Sequence, residues 1–301
     1  MVTSFPKLGI VAVMALVVLC AASPARGQDA ATLKARHQDL REPLARNAFN
    51  RPLHLESSES SGRLKGEIYA KLAQPYRVVG PVMQDIGQWC DLMILHLNVK
   101  ACRVASPKGV PTLILNIGRK FDQPLEDTYR VDFQYRVQAS TADYLRVELR
   151  ADEGPVGTKQ YRMLAEVIAL DTQHSFLHLS YSYEYGIAAG MAMRGYLATG
   201  GRDKRGFSVV GRQPDGKPIH IDGTRGVIER NTMRYFIAIE AYLDALATPE
   251  PQRLEKRLND WYTGIERYPE QLHEMERNQY LAMKYREVER LEELRAGRAP
   301  G

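Results

Sequence analysis

Cysteine is scarce, and its spacing already narrows the chemistry. Three cysteines occur in 301 residues and no two form a C-x-x-C pair, which excludes the usual dithiol redox and zinc-knuckle spacings. G-x-S-x-G, H-E-x-x-H, a complete phosphate loop and G-x-G-x-x-G are also missing, so the enzyme classes that carry those signatures find no support. Charge of one sign is lacking: 41 Lys and Arg face 36 Asp and Glu, a net charge of +5, and Lys7 and Arg26 lie in a segment expected to be removed. So small a surplus gives no electrostatic footprint for nucleic acid. His273-Glu274 has no second histidine at metal spacing, and no metal or cofactor is expected.

What is present begins at the N-terminus. Lys7, the uncharged apolar run 8–22 and Ala25-Arg26-Gly27 follow the order of a secretory signal: positive start, apolar core, small-x-small cleavage site. The run is too short for a comfortable membrane span. Cleavage near Gly27 and a periplasmic location are expected; an uncleaved anchor is the alternative, and Leu19 argues against lipid attachment at Cys20. In an oxidising compartment Cys90 and Cys102 are a disulfide candidate. A straight strand between them would hold the sulfurs roughly 40 Å apart at about 3.3 Å per residue and forbid the bond. A turn would permit it, and two buried thiols are the other possibility.

Along the chain, residues 30–47 are charged and helical in texture, broken by Pro43, and suit an N-terminal arm. SSESSG at 57–62 turns between extended runs 53–56 and 64–72. Gln74-Pro75 opens a helix whose stripe of Val79, Val82, Met83, Ile86 and Trp89 is interrupted by Gly80-Pro81, so a kink or two short helices is predicted. Residues 92–185 read almost wholly as strand, with period-two alternation strongest at Val131, Phe133, Tyr135 and Val137 and again at Leu177, Leu179, Tyr181, Tyr183 and Tyr185. Short turns between consecutive strands imply an antiparallel meander that curls. A short helix over 186–199 and a hairpin within 200–223 follow.

Residues 225–246 predict one long helix. Ile228, Thr232, Tyr235, Ile239, Tyr242 and Leu243 share a face, whereas Met233, Ile237 and Ala241 form a second apolar face that the tail beyond Pro251 is expected to cover. Leu254, Leu258, Trp261 and Ile265, then Leu272, Met275 and Leu281, are the tail's apolar anchors, in two amphipathic helices.

This order, with GEIYAKLAQPYRVVGPVMQDIGQWCDLM as first strand and proline-led helices, resembles the START-like or SRPBCC superfamily of lipid-transfer domains, pollen allergens and polyketide cyclases. The resemblance covers about residues 64–247 and departs from the family at 186–223. It implies an α+β helix-grip fold: a curved antiparallel sheet wrapped around a long C-terminal helix, here with extra C-terminal helices. The expected divisions are signal 1–27, arm 28–52, helix-grip domain 53–248 with insertion 186–223, and charged helical tail 249–301. It also implies a pocket between sheet and closing helix for a lipid or other apolar molecule. Tyr181, Tyr183, Thr232 and Tyr235 would line it, and Arg194, Tyr196, Arg225 and Asn231 would meet a polar head group at its rim. Glu229, Arg230 and Arg234 otherwise read as a solvated flank. Two other functions stay open: a cyclase- or hydrolase-type enzyme using His178, Glu184 or Arg225 as acid–base groups, and an envelope interaction protein docking a partner through residues 252–298.

Overall fold

Period-two alternation between residues 53 and 185 becomes a single sheet in the computed structural model, which describes residues 25–198 and 204–296. Its strands are β1 (Leu53–Ser60), β2 (Arg63–Leu72), β3 (Val99–Ala105), β4 (Thr112–Ile117), β5 (Tyr129–Ser140), β6 (Tyr144–Glu153), β7 (Thr158–Ala169) and β8 (Ser175–Tyr185). They pair antiparallel in the order β1-β2-β8-β7-β6-β5-β4-β3. The meander from β3 thus returns to join the first hairpin through β2 and β8. Register shifts in β3, β5 and β7 add the local bend and twist by which a long sheet becomes a cup.

Between β2 and β3 lie α3 (Tyr76–Gln84) and α4 (Ile86–Met93). Of the two expected outcomes, a kink or two short helices, the second is found, but the break falls at Asp85 and not at Gly80-Pro81: Pro81 is inside α3, and the Asp85 side chain accepts from Gly87 N to start α4. Residues 92–98, expected as strand, finish α4 and turn, and β3 begins only at Val99. The apolar alternation there is misleading because Leu92, Met93, Ile94, Leu95 and Leu97 are all buried, so no face was marked as wet. This reversal brings Cys90 and Cys102 to a Cα separation of 5.3 Å, where they form a disulfide.

After β8 come α5 (Ile187–Ala198), the hairpin β9 (Val209–Arg212) and β10 (Pro218–His220), and α6 (Gly223–Asp244). α6 lies across β1, β2 and β8 inside the cup. Its second face is covered as expected: Met233, Ile237 and Ala241 are buried under α7 (Arg253–Ile265). The tail continues as α8 (Pro269–Leu272) and α9 (Arg277–Arg295), and α9 runs against β3. In α9 the anchors are Tyr280, Met283, Val288 and Leu291, with Leu281 only half-buried.

At the other end, α1 (Ala25–Asp39) and α2 (Arg41–Ala45) are no detached arm. Leu33, Leu40 and Leu44 form a second core with Tyr69, Ala139, Tyr144, Ile168 and Phe176 on the convex face of the sheet.

Candidate functional site

Inward positions of three strands converge in the cup: Phe133 from β5, Tyr161 from β7, and Tyr181 and Tyr183 from β8. Tyr235 joins them from α6. Ring centroids are 5.1 Å apart for Tyr161–Tyr183, 5.2 Å for Tyr181–Tyr235 and 6.1 Å for Phe133–Tyr161, spacings that suit edge and offset contacts. Burial pushes the Tyr161 hydroxyl up to about 12 and those of Tyr181 and Tyr235 higher still, so all remain protonated donors. Tyr181 and Tyr235 are buried, each with 7% of its surface accessible.

The far side of Tyr235 stacks on His96 at 4.5 Å. His96 Nδ1 accepts from Asn98 N at 3.1 Å, which leaves the ring proton on Nε2, a buried atom that finds no hydrogen-bond partner among the described residues. Burial, then the charges of Arg234, Lys284, Lys120 and Lys100, hold His96 far below its ordinary pKa, so the ring is neutral.

Of the residues expected to line a pocket, Tyr181, Tyr183 and Tyr235 are brought together. Thr232 does not line it: its hydroxyl donates to Ile228 O within α6 at 2.8 Å and presses on Gly66 of β2, where a Cβ would come within 2.3 Å of Oγ1. Helix and sheet are therefore in direct contact at this crossing. Arg225 is committed to β1, donating from Nη2 to Ser57 O at 2.9 Å. Asn231 accepts from Arg234 Nη1 at 3.3 Å. Arg194 is exposed on α5 and acts on Tyr185, not on the buried tyrosines. The side chain of Tyr196 lies outside the described residues.

The charged flank of α6 is a correction. Glu229, Arg230 and Arg234 are buried, not solvated. Glu229 accepts from Phe207 N at 2.6 Å, Ser208 N at 2.9 Å, Ser208 Oγ at 2.6 Å and Ser57 Oγ at 2.5 Å, so one carboxylate ties the insertion to both α6 and β1. Arg234 pairs with Glu274 at 2.6 Å, which also holds Lys120 at 2.6 Å. A signal for this existed in the sequence: Glu229 stands one helical turn before Met233 on the stripe that had to be covered.

The acid–base groups of the enzyme reading are not assembled. His178 and Glu184 project from the convex face and Arg225 is at Ser57. Strand register sets Tyr69, His178, Glu166 and Arg146 side by side across β2, β8, β7 and β6. Both imidazole nitrogens are occupied, Nδ1 by Glu166 at 2.8 Å and Nε2 by Glu67 at 2.9 Å, and Glu166 also accepts from the Tyr144 hydroxyl at 2.7 Å. A ring bonded to a carboxylate at each nitrogen has no lone pair left for a substrate. Elsewhere, a cleft of about 600 Å³ between residues 49–52, α6 and α7 is lined by Arg51, Lys71, Glu240, Lys256, Asp260 and Arg267. Its charges are largely paired with one another, Arg51 with Glu240 and Lys256 with Asp260.

No protein-family model matches the chain, and neither does any curated protein. Solved structures similar to it include a START superfamily protein from Mycobacterium smegmatis, 12% identical, over 50% of this chain and 89% of that one, TM-score 0.32. Others are an aromatase/cyclase from Streptomyces sp. R1128, 10% identical over 69% and 94%, TM-score 0.33, and norcoclaurine synthase from Thalictrum flavum, 13% identical over 48% and 90%, TM-score 0.33. Likeness of this degree transfers no residue and no activity. The fold rests on the chain's own topology: a hairpin, a helix pair, six meandering strands that return to that hairpin, and a long helix held in the cup. By that order and pairing the chain has a helix-grip architecture, with two convex-side helices, a helix-and-hairpin insertion and C-terminal helices added to it.

Proposed function

We propose that this protein is an exported, periplasmic binding protein for a small, largely apolar molecule held among the tyrosines between sheet and α6. The observation that carries the reading is the cluster of Tyr161, Tyr181, Tyr183 and Tyr235 where the sheet meets α6. An aromatic lining with a few hydroxyls accepts an apolar body and orients it by one or two polar contacts. Export is supported by the signal-like order of residues 7–27 and by the Cys90–Cys102 disulfide, a bond that persists in oxidising compartments.

Native mass spectrometry of protein purified from its own cell envelope is the direct test. A co-purified apolar molecule is expected, on a chain whose mass starts near Gln28, and Tyr181→Trp, which puts a larger ring at the centre of the cluster, should abolish its retention. An apo mass throughout, with no uptake of a fluorescent fatty acid, overturns the binding reading. A chain that keeps residues 1–27 overturns cleavage.

A further inference from the structure

The end of the molecule at which α6 begins has a surface of its own. Ile187 is 84% exposed and Met191 56%; one helical turn apart on α5, they point the same way. α5 lies against the β6–β7 turn, where Val156 projects into solvent with φ at 56°, a left-handed conformation that β-branched residues rarely adopt. Val209, Val210 and Ile219 are exposed on the hairpin, whose base is fastened to the second turn of α6 through Glu229. Local stability explains none of these choices, since glycine or asparagine would relieve the turn at Val156 and polar residues would serve at the rest.

Charge gathers at the same end. Residues 186–220 carry six Lys and Arg against two Asp and Glu, a surplus of four in a chain whose total is +5. Among the described residues Arg194, Arg212 and Lys217 are exposed there, Lys217 being paired with Asp215 at 3.0 Å, and the adjoining β6–β7 turn sets Asp152 and Glu153 against Lys159, so the described part of this end, 152–159, 186–198 and 204–220, keeps a surplus of three. A second copy of the chain would bring the same cations face to face and be repelled. Apolar tips among surplus cations instead match a phospholipid surface, where the tips enter the headgroup layer and the cations meet phosphates.

We infer that this end of the molecule docks on the surface of an anionic phospholipid bilayer, with Ile187, Met191 and Val156 as the inserted tips. The inference does not depend on what the interior holds. Co-sedimentation of the mature chain from Gln28 with phosphatidylcholine vesicles, with and without phosphatidylglycerol, tests it. Binding is expected only when phosphatidylglycerol is present and should fall with added salt. Ile187→Asp with Met191→Asp should weaken it at least tenfold, and Arg212→Glu with Lys217→Glu by about fivefold per charge. All four side chains are solvent-facing, so unchanged melting temperatures confirm intact folds. Indifference to lipid charge, absence of binding, or binding untouched by these variants overturns the inference. So does dimerisation abolished by Ile187→Asp, which would assign the patch to a second copy. Uptake of a fluorescent fatty acid by the same variants is expected to match the parent chain, so failure of docking and failure of the interior site give different results.

Discussion

Burial alone would strip the proton from His178, yet the carboxylates of Glu166 and Glu67 on its two nitrogens outweigh it and raise its pKa above the ordinary 6.5. The stabilisation is complete below about pH 6.5 and is lost as pH rises through the folded-state value. Glu67 behaves in the opposite sense. Burial would raise it, but His178 and Lys65 hold it at about 2, so its contribution is complete above about pH 4.5 and declines as pH falls toward 2. Melting temperature should therefore peak between these limits, and His178→Gln should flatten the alkaline limb. A melting temperature that climbs steadily above pH 6.5 would contradict this. The outward position of His178 was legible from the alternation of Leu177 and Leu179 around it. What covers it was not, because nothing local in residues 28–45 says that Leu33, Leu40 and Leu44 meet Phe176 and Tyr144 across more than a hundred residues of chain.

Element contacts show the same division. Strand order and the long helix could be read from pattern, since alternation and turn residues are local properties of the chain. Direct seating of α6 on β2 depends on one glycine, and its reason appears only when Thr232 is placed over it. Gly66→Ala should cost roughly 1–3 kcal/mol as an overpacked contact, measured by urea unfolding. A neutral substitution would mean that helix and sheet stand apart with room to spare. The start of β3 was misplaced because residues 92–95 are apolar without a break and His96 and Asn98 then alternate with Leu95 and Leu97, which imitates a strand where a helix end turns. The same reversal makes the disulfide possible. Closing a loop with 12 residues of sequence separation, it should contribute about 3 kcal/mol by constraint of the unfolded chain. Cys90→Ala with Cys102→Ala should lower unfolding stability by that order, and mild reduction of the parent chain should do the same.

Across the whole molecule, the C-terminal helices are part of the core, as the apolar face of Met233, Ile237 and Ala241 required, and they bring buried charge with them. Two lysines make the case. Lys100 on β3 and Lys284 on α9 are wholly buried and share Glu287, at 2.9 Å and 2.6 Å. Lys284 Nζ also donates to the carbonyls of His96 and Val99, at 2.7 Å and 3.0 Å, so α9 satisfies the turn that leads into β3. Even with Glu287 present, burial lowers Lys284 to about 8. Removing that carboxylate leaves two ammonium groups without a counter-charge in a dry interior, a loss of about 3–5 kcal/mol. Glu287→Gln is therefore expected to destabilise the chain by that amount at neutral pH and to recover part of it as the medium is made alkaline and Lys284 gives up its proton. Truncation before residue 249 should behave differently: Lys100 regains water, but Met233, Phe236 and Ile237 lose the cover of Trp261 and Ile265, and the fragment should aggregate. A soluble, cooperatively melting fragment would show that helix and sheet form a domain without the tail. A Glu287→Gln chain with unchanged urea midpoint would show that water reaches the two lysines after all.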